Sequence, residues 1–514
     1  MEKILTIIIL LAFIVKVSGQ IEVHSSNQVG IGTNNPQYKL HVVGDTYING
    51  NLLLGGASTF FGTTDGNNPV IFKSNNVISG FTGSYGYSNV SFGYATLSNT
   101  NYYSSQNTAV GYSALNNCGT GSQNTAIGAG VLGSNTTGSM NTAIGLNALY
   151  SNIQGNRNTA IGYYTLFSNT TGQYNLANGY NALYSNTTGG NNIAIGNSAL
   201  YFNSTGTRNT AVGIEALYRN ISGIENIAIG DSTLWFNTTG DNNTAIGKNA
   251  LFHNSTGIYN TGLGGMALYR NTTNNYNTAV GYGALNQFQS MTGDYNTAIG
   301  FNALHSSTPI GSFNMAIGPN TFFQNIYGVT NFSTAIGYSA IITGSNQVRI
   351  GDASTASIGG YVGWSTISDR RAKKNIRADV PGLAFINSLQ PVTYNMDLDA
   401  IDELLKIEDL TASDEDNDIP PKSDELIELE KKTREAKEKQ VQTGFVAQEV
   451  EKAAKDAGYE FSGVDVDETG IYSLRYAEFV APLVKAIQEL SEQNNRLQEQ
   501  VNELKKKIEN LERK

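Results

Sequence analysis

Over its first 367 residues the chain has very little charge, 10 basic and 10 acidic side chains, against 22 and 32 in the last 147. The entire net charge of −10 lies in that last stretch, which excludes one evenly mixed globule and predicts dissimilar regions in series. Cysteine is nearly missing as well: Cys118 stands alone, so no internal disulfide can hold the chain. Histidine is scarce, and His24, His41, His253 and His305 are too scattered to suggest a shared metal site, so no metal or other cofactor is expected. The charge balance gives no reason to expect nucleic acid as a partner. After the N-terminus there is no apolar run long enough to span a bilayer.

The one apolar run is at the start, in "MEKILTIIILLAFIVKVSGQ". Lys3 precedes an apolar stretch from Ile4 to Val15, and the small residues Val17 and Gly19 stand before Gln20. This pattern predicts a secretory signal peptide over residues 1–19, and hence a secreted or cell-surface protein with no membrane span once the signal is removed. Lys16 interrupts the run short of the roughly 20 apolar residues of a membrane anchor.

What fills the low-charge region is Gly, Asn, Thr, Ser and Tyr in a strict period. Glycines recur every 17 residues from Gly111 through Gly145 and Gly196 to Gly281, with looser copies at Gly93, Gly300, Gly318 and Gly337. A leucine column from Leu115 to Leu285 keeps the same register. The unit reads N-T-A-I-G-x-x-A-L-x-x-N-T-T-G-x-x, as in "NTAIGLNALYSNIQGNR" from Asn141. It is too short for a helical hairpin and contains two brief extended stretches, T-A-I and A-L, between corners that tolerate positive φ. One unit therefore predicts one turn of a β-solenoid, and stacking at about 4.8 Å would make the array a rod of roughly 70 Å. Alternation puts Thr and Ile of T-A-I on one face and Ala on the other. Ile is expected inside with the Leu column, leaving the small Ala face for contacts between chains. So thin an interior argues for an oligomer.

The position after the leucine is often aromatic, at Tyr150, Phe167, Tyr184, Tyr201, Tyr218, Trp235, Phe252 and Tyr269. Stacked coils align these rings into a ladder, which either packs on itself or between chains, or presents a sugar-binding stripe to a cell-surface glycan or other host-surface ligand. The N-x-[ST] triplets at Asn135, Asn169 and Asn186 match the glycosylation sequon but recur at the repeat spacing, so they read more simply as turn corners. A glycan-cleaving enzyme would need paired carboxylates, and the repeats offer only a few acids, among them Glu215, Glu225, Asp231 and Asp241. Asp231 lies one coil from Lys248, which predicts a surface ion pair.

The repeats, from about residue 90 to 345, resemble the head repeats of trimeric autotransporter adhesins, in which short N-[ST]-x-A-x-G units build a parallel β-roll of three chains. The resemblance implies a homotrimer. It departs at the end of the chain, where those adhesins have a membrane β-barrel and this sequence has "KKKIENLERK". Ahead of the repeats, "VGIGTNNPQYKLHVVGDTYINGNLLLGG" has alternating strands with turns at Asn34-Asn35-Pro36 and Asn49-Gly50, and resembles the β-rich starts of phage-fibre-like bacterial proteins. Its "GIGTNN" is not a full dinucleotide-binding fingerprint.

At Ser368 the composition changes. A short helix from about Pro381 to Leu389 and a strand are expected first; "TGFVAQEVEKAAKDAGYEF" and "GIYSLRYAEFVAPLVKAIQEL" each predict a strand leading into a helix, giving a compact α+β unit. Between them an acidic insertion, about residues 397–440, places Asp414, Asp416, Asp418 and Glu425 at calcium-loop positions, but Ile419 stands where that loop needs glycine, so a solvated, partly disordered loop is expected. Val480, Leu483, Ile487, Leu490, Asn494, Leu497, Val501, Leu504, Ile508 and Leu511 form a heptad seam, predicting a coiled coil of two or three strands.

Residues from Ser368 to about Leu490 resemble, in "SDRRAKKNI", "GFVAQEVEK" and "YSLRYAEFVAPLVKAIQEL", the C-terminal intramolecular chaperone of phage endosialidases and tailspikes, a self-cleaving domain also found in a membrane-bound animal transcription factor. The resemblance implies that this domain trimerises, guides the fibre ahead of it into register and then releases itself by a serine-lysine dyad, as a single-turnover serine endopeptidase with no external substrate. Carried onto this chain, the nucleophile is Ser368, the base Lys373, the supporting residues Asp369 and Arg370, and the cut Ile367–Ser368. The alternative is a linker that never cleaves, in which Ser368 only caps a turn. The expected organisation is a signal peptide (1–19), a β-rich segment (20–89), the solenoid (90–345), a neck (346–367), the chaperone (368–482) and the coil (483–514).

Overall fold

A computed structural model of the chain describes residues 21–24, 28–31, 40–42, 70–74, 77–82, 89–99, 104–286, 293–305, 310–323, 330–361, 365–405, 423–467 and 470–513. The signal segment, the two N-terminal turns and Asp414, Asp416 and Asp418 lie outside these residues. The chain divides into two units, Met1–Thr64 and Asp65–Lys514. In the first, Ile21–His24 pairs antiparallel with Gln28–Ile31, which pairs parallel with Leu40–Val42.

The second unit begins with the antiparallel pair Val70–Ser74 and Val77–Thr82, which continues into Val90–Phe92. From there every pairing is parallel, one three-residue strand per repeat, through Thr334–Ile336 to Val348–Ile350. The result is a parallel β-solenoid of about 14 turns with 17-residue spacing. Because the spacing is constant, like stacks on like: Thr142 faces Thr159, Ala143 faces Ala160 and Ile144 faces Ile161.

The sidedness is the reverse of the sequence expectation. The alanines of T-A-I are fully buried, whereas Ile127, Ile144, Ile161, Ile195, Ile229, Ile246 and Ile299 are exposed. A coil of 17 residues is narrow, and its inner wall opposite the leucine has room for a methyl group but not for a β-branched side chain. The A-L stretch is a turn rather than a strand, and its leucine takes a left-handed backbone, φ +53° at Leu149 and at Leu183. That conformation costs a non-glycine residue roughly 1–2 kcal/mol. It is offset by complete burial of the side chain and by a bond from the Leu149 N–H to the Thr165 carbonyl at 3.0 Å. The glycine after the strand has no substitute: Gly196 sits at φ +138°, and a Cβ there would run into the backbone of Gly213.

Two buried asparagine ladders supply the polar part of the interior. In the first, each Oδ1 accepts the next backbone N–H up the stack, as from Asn141 to Asn124 and from Asn158 to Asn141, both 3.0 Å. In the second, the Asn186 amide donates to Asn169 Oδ1 at 2.8 Å and to the Gly189 carbonyl at 3.0 Å. Cys118 occupies a rung of this second column, one repeat before Asn135, where its thiol donates to the Gly121 carbonyl at 3.3 Å and burial pushes its pKa up.

After the solenoid, the chain forms five α-helices among the described residues: α1 (Leu383–Ile386), α2 (Leu398–Leu405), α3 (Asp424–Glu438), α4 (Ala447–Asp456) and α5 (Val480–Glu512). Two antiparallel pairs accompany them, Val392–Tyr394 with Gln442–Gly444 and Val464–Val466 with Tyr472–Leu474. Phe385, Val450, Ala453, Ala454 and Phe479 make the small core. The expected helix at Pro381–Leu389 shrinks to the single turn α1, closed by Asn387 at its C-cap. Glu489 of α5 accepts the Leu383 N–H at 2.8 Å and so satisfies the start of α1. At its two ends the acidic insertion is helical rather than loop: α2 and α3 lie there, Arg434 on α3 bridges Asp399 and Asp402 on α2 at 2.9 and 2.7 Å, and the stretch 406–422 between them lies outside the described residues. None of the described helices is long and apolar enough to cross a membrane.

Candidate functional site

Ser368 and Lys373, five residues apart, are brought together by one 3₁₀ turn, Arg370–Ala372. Lys373 Nζ donates to Ser368 Oγ at 2.8 Å. Asp369 caps the turn. Its carboxylate accepts the Arg371 N–H at 2.8 Å, and the Arg371 guanidinium closes on it at 2.7 Å. The turn is completed when the Lys373 N–H bonds the Arg370 carbonyl at 3.1 Å and the backbone leaves in extended conformation. The Arg371 side chain and N–H together hold the Asp369 carboxyl below its usual range.

The partner of Asp369 is therefore Arg371. The signal for it was the spacing: an Asp that caps a turn bonds the N–H two residues on, and the side chain at that same position is within reach of the carboxylate. The bond expected to break is the most open part of the site. Ile367 is 86% exposed, and residues 356–361 and 365–379 are exposed throughout. Among the described residues nothing takes Ser368 or Lys373 out of water.

The other sequence candidates sort differently. The eight-ring ladder from Tyr150 to Tyr269 is continuous, with centroids 5.1 Å apart for Tyr184 and Tyr201 and 5.8 Å apart for Trp235 and Phe252. Ring stacks on ring at nearly every step, so the faces that a pyranose would cover are taken by neighbouring rings. A second ladder, which sequence reasoning missed, runs through Tyr259, Tyr276, Tyr295, Phe313 and Phe332. Its signal was the residue just before the strand asparagine. Asn135, Asn169 and Asn186 are wholly buried in the asparagine ladder, so their amides are closed to glycosylation in the folded solenoid. Asp231 accepts the Ser232 hydroxyl rather than pairing with Lys248, and Arg208 pairs with Glu225 at 2.9 Å. Glu215 accepts the indole N–H of Trp235 at 2.9 Å.

Fold and junction together define a class: a stacked β-solenoid that passes through an exposed serine-lysine turn into a small α+β domain and a long terminal helix. Residues 368–459 match the family described as the chaperone of endosialidase. No curated protein and no solved structure gives a match to the chain. A solenoid of 17-residue repeats thus precedes a domain similar to that chaperone.

Proposed function

We propose that this is an exported, homotrimeric fibre whose C-terminal domain gathers three chains, sets their solenoids in register and then cuts itself from the fibre chain at Ile367–Ser368. The carrying observation is the 2.8 Å contact between Lys373 Nζ and Ser368 Oγ, at the first residue of the family match. Attack by Oγ on the Ile367 carbonyl closes a five-membered ring, whereas attack on its own carbonyl would need a strained four-membered one. Lys373 takes the hydroxyl proton as the O–C bond forms, and returns it to the Ser368 nitrogen as the C–N bond breaks. The product is an ester between the Ile367 acyl group and Oγ, and water then yields the Ile367 carboxylate and restores the hydroxyl.

In the single chain the exposed ammonium donates to Oγ, which is the wrong direction for a base. Desolvation as chains close around Lys373 favours the neutral amine and reverses that bond. Cutting is thereby tied to assembly. Two apolar stripes support self-association: the outward isoleucine column, and the α5 seam, where Leu490, Leu497, Leu504 and Leu511 are all more than half exposed. Export rests on the N-terminal segment, and a glycan or other surface ligand remains a reading of the fibre's role, with ring edges rather than ring faces on offer.

The test is a denaturing gel with intact mass. Wild type should give two fragments divided between residues 367 and 368, while Ser368→Ala and Lys373→Ala stay full length. Full-length wild type indistinguishable from both variants would leave a permanently fused structural fibre.

A further inference from the structure

The acidic insertion, α2 and α3, packs against the last coil of the solenoid. On α3, Glu430, Arg434 and Lys437 are half-buried at helical spacing, while most of the other residues of that helix face solvent. Glu430 accepts the Tyr338 hydroxyl, and Lys437 Nζ donates to the Thr355 carbonyl at 3.1 Å. Beside them, Asp467 accepts the Thr343 hydroxyl at 2.6 Å. Ile341 and Ile350 of the last coil, with Ile401, Leu405 and Leu429 of the insertion, line a shared cavity of about 650 Å³. In each of the three hydrogen bonds, one partner precedes Ile367 and the other follows Ser368. The connecting chain around the junction is exposed, so it can be cut without disturbing any of them.

We infer that the insertion is a clamp for the end of the fibre: it docks the C-terminal domain on the last solenoid coil through contacts that do not depend on the Ile367–Ser368 bond. Cutting and release are then separate events. This inference rests on the proposed cleavage only for the word release; the docking itself belongs to the uncut chain as well.

The experiment uses full-length chains. A denaturing gel first reports whether the chain is cut. Where it is, native mass spectrometry should find the two fragments still together, and Thr343→Val combined with Lys437→Ala should raise the separated fraction about tenfold or more, since two of the three hydrogen bonds that join the fragments are removed. In the Ser368→Ala chain, hydrogen exchange should show residues 334–350 and 424–438 protected together, and both less protected in the same double variant. Fragments that separate unaided, or exchange in these two segments unchanged by the double variant, would overturn the clamp. A chain that stays whole on the gel removes only the cleavage reading, and the exchange measurement still decides the docking.

Discussion

Asn186 shows how much a single side chain does in this solenoid. Its amide donates to Asn169 and Gly189, its oxygen accepts from Asn203 at 2.8 Å, and none of these groups meets water. Asn186→Ala removes all three bonds and strands Asn169 Oδ1, so a loss of about 2–4 kcal/mol is expected. Because a solenoid is held by nearest-neighbour terms, that loss should appear as faster hydrogen exchange in the coils around residue 186, with distant coils unchanged. The glycosylation sequon at this residue was visible in the sequence, and so was its regular recurrence. What the recurrence meant, an inward ladder rather than a row of exposed corners, needed the burial. At the junction, Ser368 and Lys373 were legible because their motif is local, and one turn is enough to join them. The role of Arg371 depended on which side chain the cap captures.

At the scale of the strand, alternation along T-A-I says which residues share a face but not which face is inward. Volume decides that. Ala194 is wholly buried while Ile195 beside it is 38% exposed. Two substitutions therefore separate the faces. Ala194→Ile forces three methylene-sized groups into a closed wall and should cost more than about 3 kcal/mol, read as loss of the cooperative thermal transition. Ile161→Ser with Ile195→Ser should leave the far-ultraviolet circular dichroism of the coils intact and lower self-association, read by sedimentation velocity. A variant pair that sediments like wild type would remove the isoleucine column from the chain–chain interface. The insertion makes the same point for helices. Its charge predicted a solvated loop, but α3 turns one face inward, where Arg434 bridges α2 and Lys437 reaches the Thr355 carbonyl beyond the last strand.

On the scale of the whole molecule, the proposed function requires an order: α5 gathers chains, the isoleucine columns align, and Ser368 is activated last. If so, cutting should follow assembly. Leu497→Ser with Leu504→Ser, on residues 58% and 57% exposed in the single chain, should slow the appearance of fragments on a denaturing gel by about tenfold or more, and raising protein concentration should restore part of the rate. Cutting at the wild-type rate in a monomeric variant would break that order. The sequence by itself determined the 17-residue coil, the stacking of like on like, the change of region at Ser368 and the pairing of Ser368 with Lys373, because each is set by local spacing. Only the tertiary structure decided that alanine lies inside and isoleucine outside, that the sequon asparagines are buried, and that the insertion clasps the last coil. These depend on the volume a closed coil leaves within it and on surfaces distant in sequence that meet only when the chain has folded.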